Sequence, residues 1–447
     1  MAGPSNYFDP ASTGTVDART RDLIERRARV LGPAYRLFYK NPVEFVRGAG
    51  THLFDSDGND YLDVYNNVPS VGHSHPRVAA AIAEQAATLN THTRYLQEGI
   101  IRYAEDLLSM LPPAISNIMF TCTGSEANDL ALRIAKSVTG NAGVIVTANG
   151  YHGVTTETAA ISPSLGGPET IAPWVEVIAA PDPYRGAVGM GDEVRAAIAR
   201  LEARGLRPAA LIVDTIFASD GVLPDAPGFA DAVATVRAAG GLYIADEVQP
   251  GFGRLGTGMW GFERHNIVAN AAATGAVVPD LVTVGKPMGN GHPIAAVLAR
   301  PELIEAFGRG MRYFNTFGGN PVAIAAAQAT LDVLRDEGLI ENSRVVGDYL
   351  RTGIATIAER FEVIGDVRGS GLFIGVELVT NRDSRTPNEP LALAVVNGLR
   401  ERRVLLSASG PHNNVLKVRP PLSFSVQDAD RFLTELDAVL AKALPLH

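Results

Sequence analysis

Residues 280–293 read DLVTVGKPMGNGHP. The β-forming run Leu281 to Val284 ends in Gly285, and Lys286 follows at once, with Pro287 and further glycines behind it. A short apolar run bounded by turn residues reads as a buried strand. It delivers a single lysine from the strand end into a glycine- and proline-rich loop, a setting in which surface lysines are rare. A lysine carried out of water has a lowered pKa, and its neutral amine is then a nucleophile of the kind Schiff-base chemistry requires.

Three stretches upstream can work with that lysine. LYIADEVQPGFGR (242–254) is an apolar strand that ends in acids. Carboxylates at strand C-termini of open α/β sheets face the ligand crevice, and a buried Asp beside a pyridinium nitrogen would keep it protonated as an electron sink; acids also end strands for solubility. TCTGSEAND (121–129) follows the strand-like NIMF and opens a helix. Gly124 and Ser125 there would present N–H groups and a hydroxyl at the positive end of the helix dipole, which suits a phosphate, although Ser125 and Asn128 are also ordinary capping residues. YHG (151–153), after GVIVTAN, offers an aromatic ring to a flat ligand.

Between residues 76 and 330, short apolar runs (NIMF, GVIVTA, ALIVD, LYIADE, DLVTVG) alternate with helical stretches. This predicts an α/β domain with a mostly parallel central sheet sandwiched by helices. A long helix, PVAIAAAQATLDVLRDEG, leads away from it, and residues 331–447 read as a small α+β domain. Residues 1–75, with a charged helix over 17–31, form an N-terminal segment assigned to that small domain. The Ala-rich stretch before Lys286, IVANAAATGAVVPD (267–280), reads as a flexible loop or short helix.

The chain has 447 residues, 46% hydrophobic and 19% charged, which suits a soluble enzyme of more than one domain. Its net charge of −9 gives no support to a nucleic-acid or membrane-surface role. Cys122 is the single cysteine, so neither an intrachain disulfide nor a thiolate-built metal site can form. No apolar run reaches signal-peptide or membrane-span length. The expectation is a cytoplasmic protein without metal, nucleic acid or membrane partner.

Taken together, GSEAN, YHG, DEVQ, GK and FNTFGGNP identify the chain as similar, over nearly its whole length, to the class III (ω-aminotransferase-like) fold type I pyridoxal phosphate enzymes. The resemblance implies pyridoxal 5′-phosphate as cofactor and Lys286 as its Schiff-base lysine and proton shuttle. It also implies Gly124 and Ser125 at the cofactor phosphate, Tyr151 stacked on the ring, Asp246 at the pyridine nitrogen, Val248 under the ring and Gln249 near the phenolic oxygen. Thr316 would reach the cofactor phosphate of a neighbouring subunit, which implies a homodimer with its active site at the subunit interface.

The cofactor alone does not fix the reaction. Within the class, GKPMGNGHP and LLSASGPHNNVLK most resemble the phospholyases that act on ethanolamine phosphate and phosphohydroxylysine. Glutamate-using transaminases place an Arg three residues before PP in the final motif; here the residue is Lys417. A compact ammonium serves phosphate as a point charge but lacks the fork that favours carboxylate. Val154 and Asp214 replace two further residues of the carboxylate-binding pattern. Lys417 is therefore the first candidate for a substrate phosphate, with Arg36 and Asn66 as further candidates and Arg419 on the same strand face by alternation; Lys417 could also be a solvated strand lysine. His73, His75 and His292 read as turn-shaping or supporting groups. The expected reaction is elimination of phosphate from O-phosphoethanolamine or a related phosphorylated amine, giving acetaldehyde, ammonia and phosphate. The alternatives are an ω-aminotransferase moving the amine to a keto acid, and a non-catalytic binding protein.

Overall fold

The computed structural model describes residues 6–10, 16–186, 189–268 and 277–444. Of the Ala-rich stretch before Lys286, residues 269–276 lie outside those described.

At the centre is a seven-stranded sheet in the order Asn117–Thr121, Ala295–Ala299, Leu281–Val284, Leu242–Asp246, Pro208–Asp214, Gly143–Thr147, Val175–Ile178. Ala295–Ala299 runs antiparallel to both neighbours, and the other pairings are parallel. The inner strands are mostly apolar, with polar residues largely at their ends, because both faces are covered. Ile145, Leu211, Val213 and Tyr243 pack on one side, whereas Val144, Val146, Ile212 and Ile244 pack on the other. Alternation thus sends neighbours to opposite cores, and each fully buried Ile, Leu or Val contributes roughly 1.5–3 kcal/mol. The helix Gly124–Thr139 covers the second face, while Met190–Ala203 and Phe229–Ala238 pack on each other and on the first. Ala295–Ala299 and Val175–Ile178 are additions to the runs legible from sequence: AAVLA carries alanines that favour helix, and its strand form comes from pairing on both sides.

Two smaller sheets flank this one. Ile364–Ser370, Phe373–Leu378, Val415–Val418 and Ser407–Ser409 form an antiparallel sheet in which Lys417 stands opposite Gly375 on one side and Ser407 on the other. Phe45–Ala49, His52–Asp55 and Asp60–Asp63 form a meander that Val404–Leu405 joins in parallel, tying the first part of the chain to the last. Ala18–Leu31 is a helix with no buried residue, as its charged sequence suggests. Arg254 stitches large sheet to small: its buried guanidinium donates to the carbonyls of Leu372 (3.2 Å) and Pro420.

Candidate active site

Asp214 and Asp246 end adjacent parallel strands, and Lys286 follows the end of the next. In a parallel sheet those ends share one edge, so three polar side chains far apart in sequence open into one cavity of about 300 Å³. Cys122, Gly124, Ser125, Tyr151, Val248 and Gln249 also line it. The sequence-derived cofactor residues therefore meet in one place, with one exception: Thr316 is exposed and does not line the cavity.

Asp246 is held from three directions. Its Oδ2 accepts from Asn128 Nδ2 (2.9 Å) and pairs with His152 Nδ1 (2.8 Å), and its Oδ1 accepts from the Val248 N–H (3.1 Å). Asn128 is itself fixed, donating also to the His152 carbonyl and accepting from Thr283 Oγ1. Both Asn128 and His152 are buried, and neither was given a role from the sequence. Their signal was present in GSEAND and YHG, but Asn128 reads equally as a cap, and the role of either depends on contacts made across two strands.

Gly124 and Ser125 begin a 16-residue helix whose N-cap, Thr123, accepts from the Glu126 N–H. Glycine is favoured by packing: a Cβ at Gly124 would lie 3.0 Å from Val248 Cγ1, which would have to give way slightly. At Gly153, φ is +139° and a Cβ would lie 2.6 Å from Ser125 Oγ, which accepts from the neighbouring Val154 N–H at 3.1 Å. The Val154 side chain is 66% exposed.

Burial lowers the pKa of Lys286, only partly offset by the Asp246 carboxylate. Burial and the nearby Asp246 charge raise that of Asp214. Asp214 accepts from the N–H groups of Ile216 and Ala218 and from Gln249 Nε2 (3.2 Å). The Gln249 oxygen in turn accepts from Arg419, whose Nε donates to the Tyr65 carbonyl at 3.2 Å. Arg419 lies just beyond the strand Val415–Val418, so strand alternation no longer governs it. Its side chain is committed to Gln249 and Tyr65 rather than to the cavity walls.

Lys417 is buried in the wall of a second cavity, of about 360 Å³, which shares Tyr151 with the first. Tyr7, Tyr65, Asn149, Ser409 and Asn413 also line it. The pKa of Lys417 is lowered by burial and by Arg419, against the pull of Asp214 and Asp220. Arg36 is exposed, with its guanidinium 4.9 Å from the ring centre of Tyr7. Asn66 lines neither cavity; its side-chain oxygen accepts from the Val68 N–H within a turn. His73 binds Asp63 (2.7 Å) and His75 binds Glu337 (3.1 Å), both outside these cavities, whereas His292 lines the first.

The first cavity fits pyridoxal 5′-phosphate. It pairs an amine of lowered pKa with a buried, hydrogen-bonded carboxylate and a glycine-tight helix start suited to a phosphate. Among the described residues, no helix is long and apolar enough to cross a membrane.

Comparison with known proteins agrees with this geometry. The family model for aminotransferase class-III matches residues 38–440. The chain is 42% identical over 431 residues to an alanine–glyoxylate aminotransferase 2-like protein of Drosophila melanogaster, covering 92% of this chain and 85% of the relative. It is 38% identical over 456 residues to ethanolamine-phosphate phospho-lyase homolog 1 of Caenorhabditis elegans, covering 96% of each. The solved structure of an Arthrobacter phospholyase in complex with phosphoethanolamine superposes with a TM-score of 0.89 at 44% identity, covering 95% of this chain and all of that one. The chain belongs to the aminotransferase class-III family and is a fold type I enzyme dependent on pyridoxal phosphate.

Proposed function

We propose that the enzyme is a phospho-lyase that converts O-phosphoethanolamine, or a closely related phosphorylated amine, and water into acetaldehyde, ammonia and inorganic phosphate. The observation that carries this reading is Lys417, a buried lysine in a cavity that shares Tyr151 with the Lys286 cavity, at the position where the resemblance to glutamate-using transaminases implies an arginine. The likeness to a phospholyase bound to phosphoethanolamine supports it.

Bound in the first cavity, pyridoxal phosphate supplies an electron sink conjugated to the carbon that bears the substrate amine. Lys286 Nζ, its pKa lowered by burial, takes the proton from that carbon. Asp246, fixed by Asn128, His152 and the Val248 N–H, holds a proton at the ring nitrogen. Of the residues lining that cavity, Gly124 and Ser125 would hold the cofactor phosphate, Tyr151 and Val248 would pack against its ring, and Gln249 would lie at its edge. Lys417 binds the substrate phosphate and offsets its charge as the C–O bond to the adjacent carbon breaks.

The active unit in this reading is a homodimer, with Thr316 reaching the neighbour's cofactor phosphate. Exposed apolar side chains beside Thr316 support it: Phe314 and Phe317, with Tyr95 linked to Phe314 through His92 and the 98% exposed Leu96 next to Tyr95 in the chain.

A second reading, transfer of the amine to a keto acid, is favoured by the aminotransferase name of the Drosophila relative. Phosphate release from O-phosphoethanolamine, measured with and without pyruvate, separates the two. The lyase releases phosphate at the same rate in both; strict dependence on pyruvate, or alanine formation without phosphate, would contradict it.

A further inference from the structure

A terminal segment frays unless something holds it, and residues 6–8 are held tightly. The Tyr39 N–H donates to the Asn6 carbonyl (2.6 Å), the Phe8 N–H donates to the Leu37 carbonyl (2.9 Å), and Tyr7 forms an antiparallel bridge with Phe38. Asn6 is fully buried, and its side-chain oxygen accepts from Ser407 Oγ at 3.2 Å. Ser407 is the cross-strand partner of Lys417. The strap is thus anchored beside the residue assigned to the substrate phosphate.

Side chains alternate along an extended segment. Asn6 and Phe8 point into the core, and Tyr7 between them is half-buried in the wall of the Lys417 cavity. Its ring lies 6.2 Å from Phe38 in a stacked arrangement, Phe38 meets Tyr65 edge-on at 6.0 Å, and Arg36 sits over the Tyr7 ring. These contacts fix where the phenol goes.

We propose that the N-terminal strap is a specificity element: Tyr7, held by the Asn6–Ser407 anchor, donates its hydroxyl to the phosphate group that Lys417 binds. The ligand class is a phosphomonoester, and the proposal rests on the phospho-lyase reading. A neutral donor beside one ammonium suits a group with several acceptor oxygens, whereas a planar carboxylate is better served by a guanidinium fork.

The test is titration of the wild-type, Tyr7→Phe and Asn6→Ala holoenzymes with inorganic phosphate, followed by calorimetry. Loss of one hydrogen bond to a charged group should weaken phosphate binding about tenfold or more in Tyr7→Phe. The same variant should raise the KM for O-phosphoethanolamine by a similar factor, with kcat and cofactor affinity near wild type. Asn6→Ala should reproduce the loss by freeing the strap. Wild-type phosphate affinity in Tyr7→Phe, or equal loss of kcat and cofactor, would overturn the proposal. Should the wild-type enzyme release no phosphate from O-phosphoethanolamine, the lyase reading fails by itself, and the phosphate titration still decides the role of Tyr7.

Discussion

The two adjoining cavities are built in different ways. Lys286, Asp246, Asp214, Gly124 and Ser125 sit at strand ends or a helix start of one sheet, so the fold alone brings them together. The Lys417 cavity takes Tyr7 from the N-terminal strap, Tyr65 from just beyond the meander, Asn149 from a loop and Lys417 from a peripheral sheet. The first arrangement suits a constant cofactor and the second a pocket that can change with the substrate, because each of its parts can vary without disturbing the central sheet.

Breaking the first cavity should have the largest effects. Lys286→Ala should abolish turnover and the visible absorbance of the lysine-bound cofactor; retained turnover would remove Lys286 from the chemistry. Asp246→Asn keeps the shape but removes the charge, and should lower kcat by about 10²–10³-fold while the protein still binds cofactor. Stopped-flow rates of proton abstraction check this, and near-wild-type rates would show that Asp246 only supports the fold.

The second cavity should respond in KM. Lys417→Ala removes a charge-assisted contact of about 1.5–3 kcal/mol, or roughly a ten- to hundredfold loss of affinity for phosphorylated amines, with little effect on unphosphorylated ones. Equal effects on both would place Lys417 outside the phosphate site. The ammonium form of Lys417 is the one that binds phosphate, and burial lowers its pKa, so that form is present at low pH and is lost as pH rises through the lowered value. The KM for O-phosphoethanolamine should therefore climb from neutral to alkaline pH, and Lys417→Ala should flatten that part of the profile. The smallest expected effect is that of Gly124→Ala, whose added carbon must push Val248 by a few tenths of an ångström. Cofactor affinity, read by titrating the apoenzyme, should fall several-fold, with kcat at saturating cofactor near wild type.

The same contrast explains what the sequence disclosed. Lys286 and Asp246 were legible because a run of β-formers ending in a polar residue already predicts a strand end at the crevice. Asn128 and His152 lay inside quoted motifs, yet their work consists of reaching Asp246 from a helix and a loop, which no local pattern reveals. Tyr7 gave no signal at all, since its place in the Lys417 cavity depends on its own bridge to Phe38 and on the hydrogen bond that Ser407 donates to the neighbouring Asn6. Alternation placed Arg419 on the Lys417 face, but the strand ends at Val418 and the guanidinium turns to Gln249. Asn66 was nominated from its position, and its amide oxygen is taken by the turn.

The central claim, elimination of phosphate rather than transfer of the amine, is tested most directly by the product stoichiometry of the wild-type holoenzyme with O-phosphoethanolamine and no keto acid. Phosphorus NMR should show complete conversion to inorganic phosphate over many turnovers, with one acetaldehyde and one ammonia formed per phosphate. Turnover that stops after one equivalent per active site, with the phosphoester bond intact and the cofactor left in its amine form, would contradict it.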